Sequence, residues 1–198
     1  MFKSKRNTTK TIVTLSLFAV LSMILSRFCA IYITESLRIS FGNIPIMLAG
    51  IFFGPFAGAL VGIVADSVGA MLFSGLGWFP PLTISPMLMG LIPGLLAPMV
   101  AKLMKKGTKG GDILAAVIFV VPSNIIVSMG CTTYLLHILY GNPFLALLTA
   151  RVPLYACISV LEIIVIVALS KAGLFRTLKL GVFSGFGSKK DINSTKSA

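Results

Sequence analysis

The sequence predicts an all-α integral membrane protein, a bundle of six transmembrane helices with both termini in the cytoplasm. Three observations support this fold class: 57% of the 198 residues are hydrophobic, only 11% are charged, and the mean hydropathy is +1.01. A soluble domain of this size could not cover so much apolar surface. The net charge of +12 does not indicate nucleic-acid binding, because the lysines cluster in a few short segments between apolar runs.

Five apolar runs mark the helices, at residues 11–33, 43–73, 83–101, 113–137 and 145–170. The first run has 23 residues and would form a helix about 35 Å long, which is a full membrane span and too long for the core of a signal peptide. The second run contains Gly54-Pro55, and a proline removes a helix hydrogen bond and clashes with the preceding turn. We therefore predict two helices in this run, of which the first, at about 43–54, is too short to cross the membrane alone.

Basic residues orient the helices, since loops on the cytoplasmic side of a membrane carry an excess of Lys and Arg. The strongly basic segments are 3–10, 102–109 and 171–196. With a break at Gly54-Pro55 all three fall on the cytoplasmic side, whereas a single helix over 43–73 would place 102–109 outside. The break therefore predicts six helices with cytoplasmic termini. The outer loops are then expected at about 34–42, 74–82 and 138–144.

The domain organisation follows from the same pattern. Residues 1–10 are expected to be a basic cytoplasmic N-terminus, residues 11–175 a six-helix membrane domain, and residues 176–198 a basic, disordered cytoplasmic tail. Glycines recur at intervals of four through the break, at Gly50, Gly54, Gly58 and Gly62. Small residues at this spacing let helix backbones approach closely, so the stripe predicts a tightly packed helix interface.

Acidic side chains inside the apolar runs are candidates for function. Asp66 continues the glycine stripe and so shares a packed face. A carboxylate buried in a membrane costs several kcal/mol and is by default a functional candidate, although a structural hydrogen bond is the alternative. Glu162, deep in the last helix, presents the same choice.

Three arginines and several aromatic residues collect on the predicted outer side, while every lysine is on the inner side. They are Arg27, Arg38 and Arg151 together with Trp78, Phe79 and Tyr134. The arginines either cap helix ends and reach lipid headgroups or bind an anion. The aromatic residues form either an interfacial belt or a stacking surface for a flat ring. With one carboxylate, this set suits a ligand that is planar and amide-like at one end and anionic at the other.

Motifs for catalysis or ATP binding are missing from the sequence. The chain has no Gly-Lys dipeptide, which excludes a phosphate-binding loop of the Walker type, and its single histidine excludes the usual hydrolase constellations. The three cysteines lie in apolar runs without metal-ligand spacing and are expected to be packing residues. An enzyme is therefore not expected, and neither is a metal ion or cofactor bound by this chain.

Six stretches of the sequence carry a resemblance to a known family. They are LSRF (25–28), RISFGNIPIMLAGIFFGP (38–55), ADSVGAMLF (65–73), WFPPLTIS (78–85), TTYLLHILYGNPFLALL (132–148) and AR (150–151). In their order and spacing these stretches resemble the folate-family substrate-binding (S) component of energy-coupling-factor (ECF) vitamin transporters. The resemblance covers about residues 25–175, nearly the whole membrane part.

The resemblance implies a six-helix S-component-like bundle in the bacterial plasma membrane that captures folate at its outer face. The implied partners are a transmembrane coupling (T) protein and two ATP-binding-cassette (ABC) ATPases, so ATP is used by the partner subunits and not bound by this chain. The lipid bilayer surrounds the chain, and nucleic acid is not expected as a partner. Two alternatives stay open: an S component for another aromatic vitamin, and a membrane enzyme or assembly factor without a small ligand.

Through the resemblance, the outer residues become expectations for a folate site. The substrate-binding residues would be Arg27, Arg38, Asp66, Trp78, Phe79, Thr83, Asn124, Tyr134 and Arg151. An arginine would hold the glutamate tail, and Asp66, or otherwise Asn124, would accept hydrogen bonds from the pterin ring. The family's first helix carries an Ala-x-x-x-Ala pair that docks the coupling protein, and Ser16 and Val20 occupy those positions. Tyr155 stands where the family often has an Asn, four residues after the arginine.

Overall fold

The computed structural model describes residues 8–28, 30–34, 37–73, 80–104, 111–141 and 143–171. Its elements in chain order are α1 (Thr8–Arg27), β1 (Ile31–Thr34), β2 (Leu37–Ile39), α2 (Asn43–Phe53), α3 (Pro55–Phe73), α4 (Ile84–Met104), α5 (Gly111–Ser123), a π-helical segment (Asn124–Cys131), α6 (Thr132–Tyr140) and α7 (Phe144–Lys171). A short 3-10 turn, Pro80–Thr83, leads into α4. Helices thus make up nearly all of the described chain, as the sequence predicts.

In the described part of the chain, five helical spans are long and apolar enough to cross a membrane. They are Thr9–Arg27, Pro55–Phe73, Pro80–Val100, Ile113–Leu139 and Phe144–Leu169. The remaining helix, α2, has 11 residues and is therefore about 16 Å long, roughly half the thickness of the hydrocarbon core. Its residues 44–52 are all buried by neighbouring elements. Within the described residues the short second helix, supported by its neighbours, is confirmed, but five helices and not six are long enough to cross a membrane.

The ends of the chain lie largely outside the described residues. α1 begins at Thr8, so the last three residues of the predicted N-terminal segment 1–10 belong to the first turn of the helix. The predicted tail at 176–198 lies wholly outside the described residues. The cytoplasmic position of both termini stays a prediction.

The break between α2 and α3 lies at Gly54, as the Gly54-Pro55 pair predicts. Gly54 has a φ of 100° and a ψ of 170°, a backbone conformation that favours glycine, and its N–H donates to the carbonyl of Gly50 at 3.0 Å. Pro55 then begins α3, where the first turn has no helical acceptor for an N–H and the fixed φ of proline is suited to the helix. The break allows α3 to fold back and pack against α2.

Glycines bring α2, α3 and α4 into backbone contact. A Cβ built on Gly58 would lie 2.5 Å from the Cα of Gly50 and 2.5 Å from the carbonyl oxygen of Gly90. A Cβ on Gly62 would collide with the carbonyl group of Pro86. Any side chain at these positions would push the helices apart, so the glycine stripe is a packed interface of the kind that the sequence predicts.

A short antiparallel hairpin follows α1 where the apolar run 11–33 predicts helix, so the prediction that the first helix extends to residue 33 is wrong. Ile31 pairs with Ile39 and Tyr32 pairs with Arg38. The helix ends at Arg27 although the apolar run continues, because the sequence Ile-Tyr-Ile-Thr is β-branched and aromatic and so favours extended backbone. The second strand contacts α7, so the hairpin lies against the bundle.

Candidate ligand-binding site

A π-helical segment, Asn124–Cys131, joins α5 to α6 within one membrane span. Hydrogen bonds in a π-helix reach one residue farther along the chain than in an α-helix, and such segments are frequent at functional sites. The hydroxyls of Thr132 and Thr133 lie 3.0 and 3.2 Å from the carbonyl oxygens of Val127 and Ser128, five residues earlier. The segment therefore carries polar atoms within an apolar bundle.

Arg151 of α7 contacts this segment from the neighbouring helix. Its side chain is only 3% exposed. One Nη atom donates to the carbonyl oxygen of Ser128 at 3.3 Å and to the hydroxyl of Thr133 at 3.1 Å. The guanidinium carbon lies 5.4 Å from the ring centroid of Tyr155. The buried cation is thus held by charge-assisted hydrogen bonds and by an aromatic face.

Glu162, three turns farther along α7, is a fully buried carboxylate with 0% exposure. One of its oxygens accepts a hydrogen bond of 2.7 Å from the side-chain amide of Asn124, and the other accepts one of 3.5 Å from Asn43. The same Asn124 amide nitrogen lies 2.9 Å from the hydroxyl of Ser159, and its oxygen accepts from Ser128 at 3.3 Å. The carboxylate is therefore satisfied by neutral amide donors.

These contacts join into one set, which we call the α7 polar network. Its members are Asn43, Asn124, Ser128, Thr133, Arg151, Ser159 and Glu162. Ser128 links the two charged ends, because its hydroxyl donates to Asn124 while its carbonyl accepts from Arg151. Arg151 and Glu162 are 11 residues apart in the sequence, which is about 16 Å along the helix axis. A cation and a carboxylate thus stand at opposite ends of the network.

A second polar contact joins α3 to the turn before α4. Thr83 donates a hydrogen bond of 2.9 Å to Asp66, so two of the predicted site residues come together. Arg27 lies near the same face of α3, because a Cβ on Gly69, three residues after Asp66, would lie 3.3 Å from the arginine Nε. This placement agrees with the packed face predicted for Asp66. Its role as a ligand acceptor stays a prediction.

The remaining predicted binding residues lie elsewhere. Arg38 is in β2, paired with Tyr32 of β1 through the backbone. Trp78 and Phe79 lie outside the described residues. Tyr134 is 58% exposed on α6 and is not a member of the α7 polar network. Among the predicted residues, the structure therefore brings Asn124 and Arg151 into one network and Asp66 and Thr83 into another contact.

The predicted docking residues lie on the outside of α1. Ser16 is exposed and Val20 is 48% exposed. Residues four apart are neighbours on one helix face, so the two form a continuous patch. That patch is accessible in the isolated chain, and its role in docking stays a prediction.

The sequence does not single out four members of the network, which are Asn43, Ser128, Thr133 and Ser159. It marks Glu162 as a candidate for function but not as part of the expected folate site. Glu162 carries a recognisable signal, an acid inside an apolar run. Tyr155, Ser159 and Glu162 follow one another at intervals of four and three, the spacing of one helix face. The contact of Glu162 with Asn43 cannot be read from any local spacing, because the two residues are 119 positions apart in the sequence.

The short α2 makes the two halves of the bundle unequal. Asn43, the first residue of α2, reaches Glu162, which is preceded by 18 residues of α7. Successive membrane helices alternate in direction, so α2 and α7 run the same way through the bundle. The part of α7 that precedes Glu162 therefore extends about 27 Å beyond the first residue of α2. The half of the bundle that holds Arg151 therefore has one helix fewer, with β2 against α7 instead.

Fold and site together define a class of protein. The spans make the chain a multi-pass membrane protein. Its buried ionisable groups lie between helices, where such groups typically mark a substrate pathway in membrane proteins. This combination is typical of membrane transport proteins.

Comparison with known proteins gives the family. Residues 6–173 match the family model described as ECF-type riboflavin transporter, S component. The chain therefore belongs to this family of S components, which are transporter subunits and not enzymes. The resemblance noted in the sequence, the multi-pass membrane location and the expectation that the chain is not an enzyme are confirmed.

Individual relatives are similar to the chain over different lengths. The folate transporter FolT of Clostridium novyi (strain NT) is 36% identical over 75 residues, which is 38% of this chain and 43% of that protein. The match thus spans less than half of that relative. A crystal structure of FolT bound with folic acid superposes with a TM-score of 0.57 at 30% identity, covering 95% of this chain and 96% of that one.

Two further S components share the fold. The S component of a bacterial ECF transporter superposes with a TM-score of 0.57 at 22% identity, over 87% of this chain and 99% of that chain. The S component for biotin from an ECF-type ABC transporter gives a TM-score of 0.62 at 17% identity, over 86% of this chain and 95% of that chain. At these identities the likeness is one of fold alone.

Proposed function

We propose that this chain is the folate-binding S component of an ECF-type importer. The observation that carries the proposal is the likeness to FolT bound with folic acid, at 30% identity over 95% of the chain. The shorter match to the folate transporter of Clostridium novyi points to the same ligand.

The chemistry of the site supports a ligand with two different ends. Folate has a pterin ring with adjacent N–H donors at one end and a glutamate with two carboxylates at the other. Arginine holds a carboxylate through two parallel hydrogen bonds, and Arg151 is the buried cation of the α7 polar network. Asp66 and Asn124 offer acceptor oxygens suited to a ring edge. Arg27 and Arg38 are further candidates for the carboxylate end.

Riboflavin is the second candidate, and the description of the matching family model favours it. Riboflavin also has a planar ring with an amide-like edge, but its side chain is a neutral chain of hydroxyl groups. An arginine on the outer half of the bundle would then have no anion to bind. The charge of Arg151 therefore favours folate over riboflavin.

The proposal includes partner subunits that supply the energy. The sequence has no ATP-binding loop of the Walker type, so ATP would be bound and hydrolysed by two ABC ATPases. A coupling (T) protein would dock on the exposed patch of Ser16 and Val20 on α1. The termini and residues 102–109 would face the cytoplasm and the ligand would enter from outside.

Ligand carried through purification tests the proposed function. The chain is solubilised in detergent from cells supplied with both folate and riboflavin, purified, denatured, and its released small molecules are identified by absorbance and mass spectrometry. We expect a folate in near one-to-one amount. Riboflavin in that amount would support the second candidate, and the absence of both vitamins would favour a membrane protein without a small ligand.

A further inference from the structure

Glu162 is the feature of the membrane domain that the proposed function leaves without a role. It lies within the span Phe144–Leu169 and is fully buried. An acid inside a membrane span is costly, and groups of this kind are rare outside functional sites. Its partners, the side-chain amides of Asn124 and Asn43, are neutral donors on two other elements of the bundle. The carboxylate therefore lies where two hydrogen-bond donors converge from different elements.

The two amide donors hold the carboxylate unequally. Asn124 donates at 2.7 Å, a short bond, and is itself fixed by Ser159 and Ser128. Asn43 donates at 3.5 Å, which is the outer limit for a hydrogen bond, and its residue is only half-buried. One carboxylate oxygen is thus anchored, while the other has a weak partner that a better donor can replace.

We infer that Glu162, anchored by Asn124, is the acceptor that reads the donor edge of the pterin ring, with the ligand taking the place of the Asn43 amide. The inference rests on the proposed function, because it assigns one end of a folate to this residue. A pterin presents its 2-amino group and its ring N3–H side by side. A carboxylate accepts two such parallel bonds, and its lone pairs also leave room for the bond from Asn124.

The position of Glu162 also gives the ligand a direction. Arg151 stands about 16 Å away along the same helix, in the half of the bundle beyond the start of α2. A folate whose ring reaches Glu162 can therefore extend its glutamate toward Arg151. Asp66, which accepts a hydrogen bond of 2.9 Å from the Thr83 hydroxyl, is the alternative acceptor, and the experiment below includes Asp66→Asn to separate the two.

The substitution Glu162→Gln tests this assignment in the full-length purified chain. Gln keeps the shape and one oxygen for Asn124, but it turns an amide donor toward the donors of the ring. Affinity for folic acid and for pteroate, which lacks the glutamate, should fall equally, by about 10- to 100-fold. Thr149→Val, on the exposed side of α7, is the matched control and should bind both ligands as the parent does.

A folic acid analogue with a methyl group in place of the 2-amino group separates recognition from folding. It should bind weakly to the parent, and Glu162→Gln should lose clearly less affinity for it than for folic acid, because one of the two donor contacts is already absent and only the ring N3–H remains. A loss as large for this analogue as for folic acid, with a lower unfolding temperature in the absence of ligand, would make Glu162 structural and overturn the inference.

Two other outcomes separate the inference from the proposed function. If the parent binds folic acid and Glu162→Gln binds it equally well, the inference fails and the proposed function stands. A loss confined to Asp66→Asn in the same assay would return the acceptor role to Asp66. If the parent binds riboflavin and not folic acid, the proposed function fails and the assignment of Glu162 to a pterin fails with it.

Discussion

Arg151 and Glu162 lie on one face of α7, three helical turns apart, and Ser128 of the neighbouring π-helical segment connects them. Both are buried, with 3% and 0% exposure. The carbonyl of Ser128 accepts from the arginine, and its hydroxyl donates to Asn124, which holds the carboxylate. Opposite charges are thus held at a fixed separation inside the bundle.

Arg151→Lys should weaken folic acid binding by about tenfold or more, because lysine is a point charge and cannot form two parallel bonds to a carboxylate. Pteroate lacks the glutamate, so its affinity should change little. Calorimetry with both ligands measures the difference. The affinities of Arg27→Lys and Arg38→Lys for the same two ligands are measured in the same way. An equal loss for the two ligands in all three variants would show that these arginines support the fold and do not bind the tail.

Val20→Trp should abolish uptake and leave ligand binding intact, if the coupling protein docks on the patch of Ser16 and Val20. The added ring would project from the exposed face of α1 and would keep the coupling protein from packing closely against it. Uptake of labelled folate with co-expressed coupling protein and ATPases measures the first effect, and calorimetry the second. Leu21→Trp, exposed on a different side of α1, is the matched control and should transport normally. Loss of binding in Val20→Trp would indicate a folding defect.

The predicted topology can be tested by labelling single cysteines in a background without native cysteines. Gly107→Cys should be protected from a membrane-impermeant maleimide in intact cells, and Pro143→Cys should be labelled. The expectation follows from the basic segment at 102–109, which the charge rule places in the cytoplasm. Labelling of position 107 from outside would contradict the orientation of the six-helix arrangement.

Gly58→Ala should destabilise the bundle by about 1–3 kcal/mol, because its Cβ would meet the backbones of both α2 and α4. Gly130→Ala is the matched control. A Cβ there would lie 3.6 Å from its nearest neighbour, the carbonyl oxygen of Ile125, which is ordinary contact. Unfolding temperatures of the two variants in the same detergent measure the difference. Equal stability would mean that the helices can move apart at little cost.

The membrane fold was predictable because its signals are local. Composition indicated the membrane, Gly54-Pro55 the break, and the glycine interval the close packing. The hairpin was missed because Ile-Tyr-Ile-Thr continues an apolar run, and apolar character alone does not separate helix from strand. The α7 polar network was only partly predictable. Its acid is visible in the sequence, but Asn43 and Glu162 are 119 residues apart, and their contact depends on how the bundle packs.

Titration of the purified, ligand-free chain with folic acid and with riboflavin tests the central claim most directly. Quenching of Trp78 fluorescence or calorimetry gives both affinities in the same preparation. We predict saturable binding of folic acid at one site per chain, and an affinity for riboflavin that is at least about tenfold lower, because riboflavin has no carboxylate for an arginine to bind. Tight binding of riboflavin with weak or undetectable binding of folic acid would contradict the account.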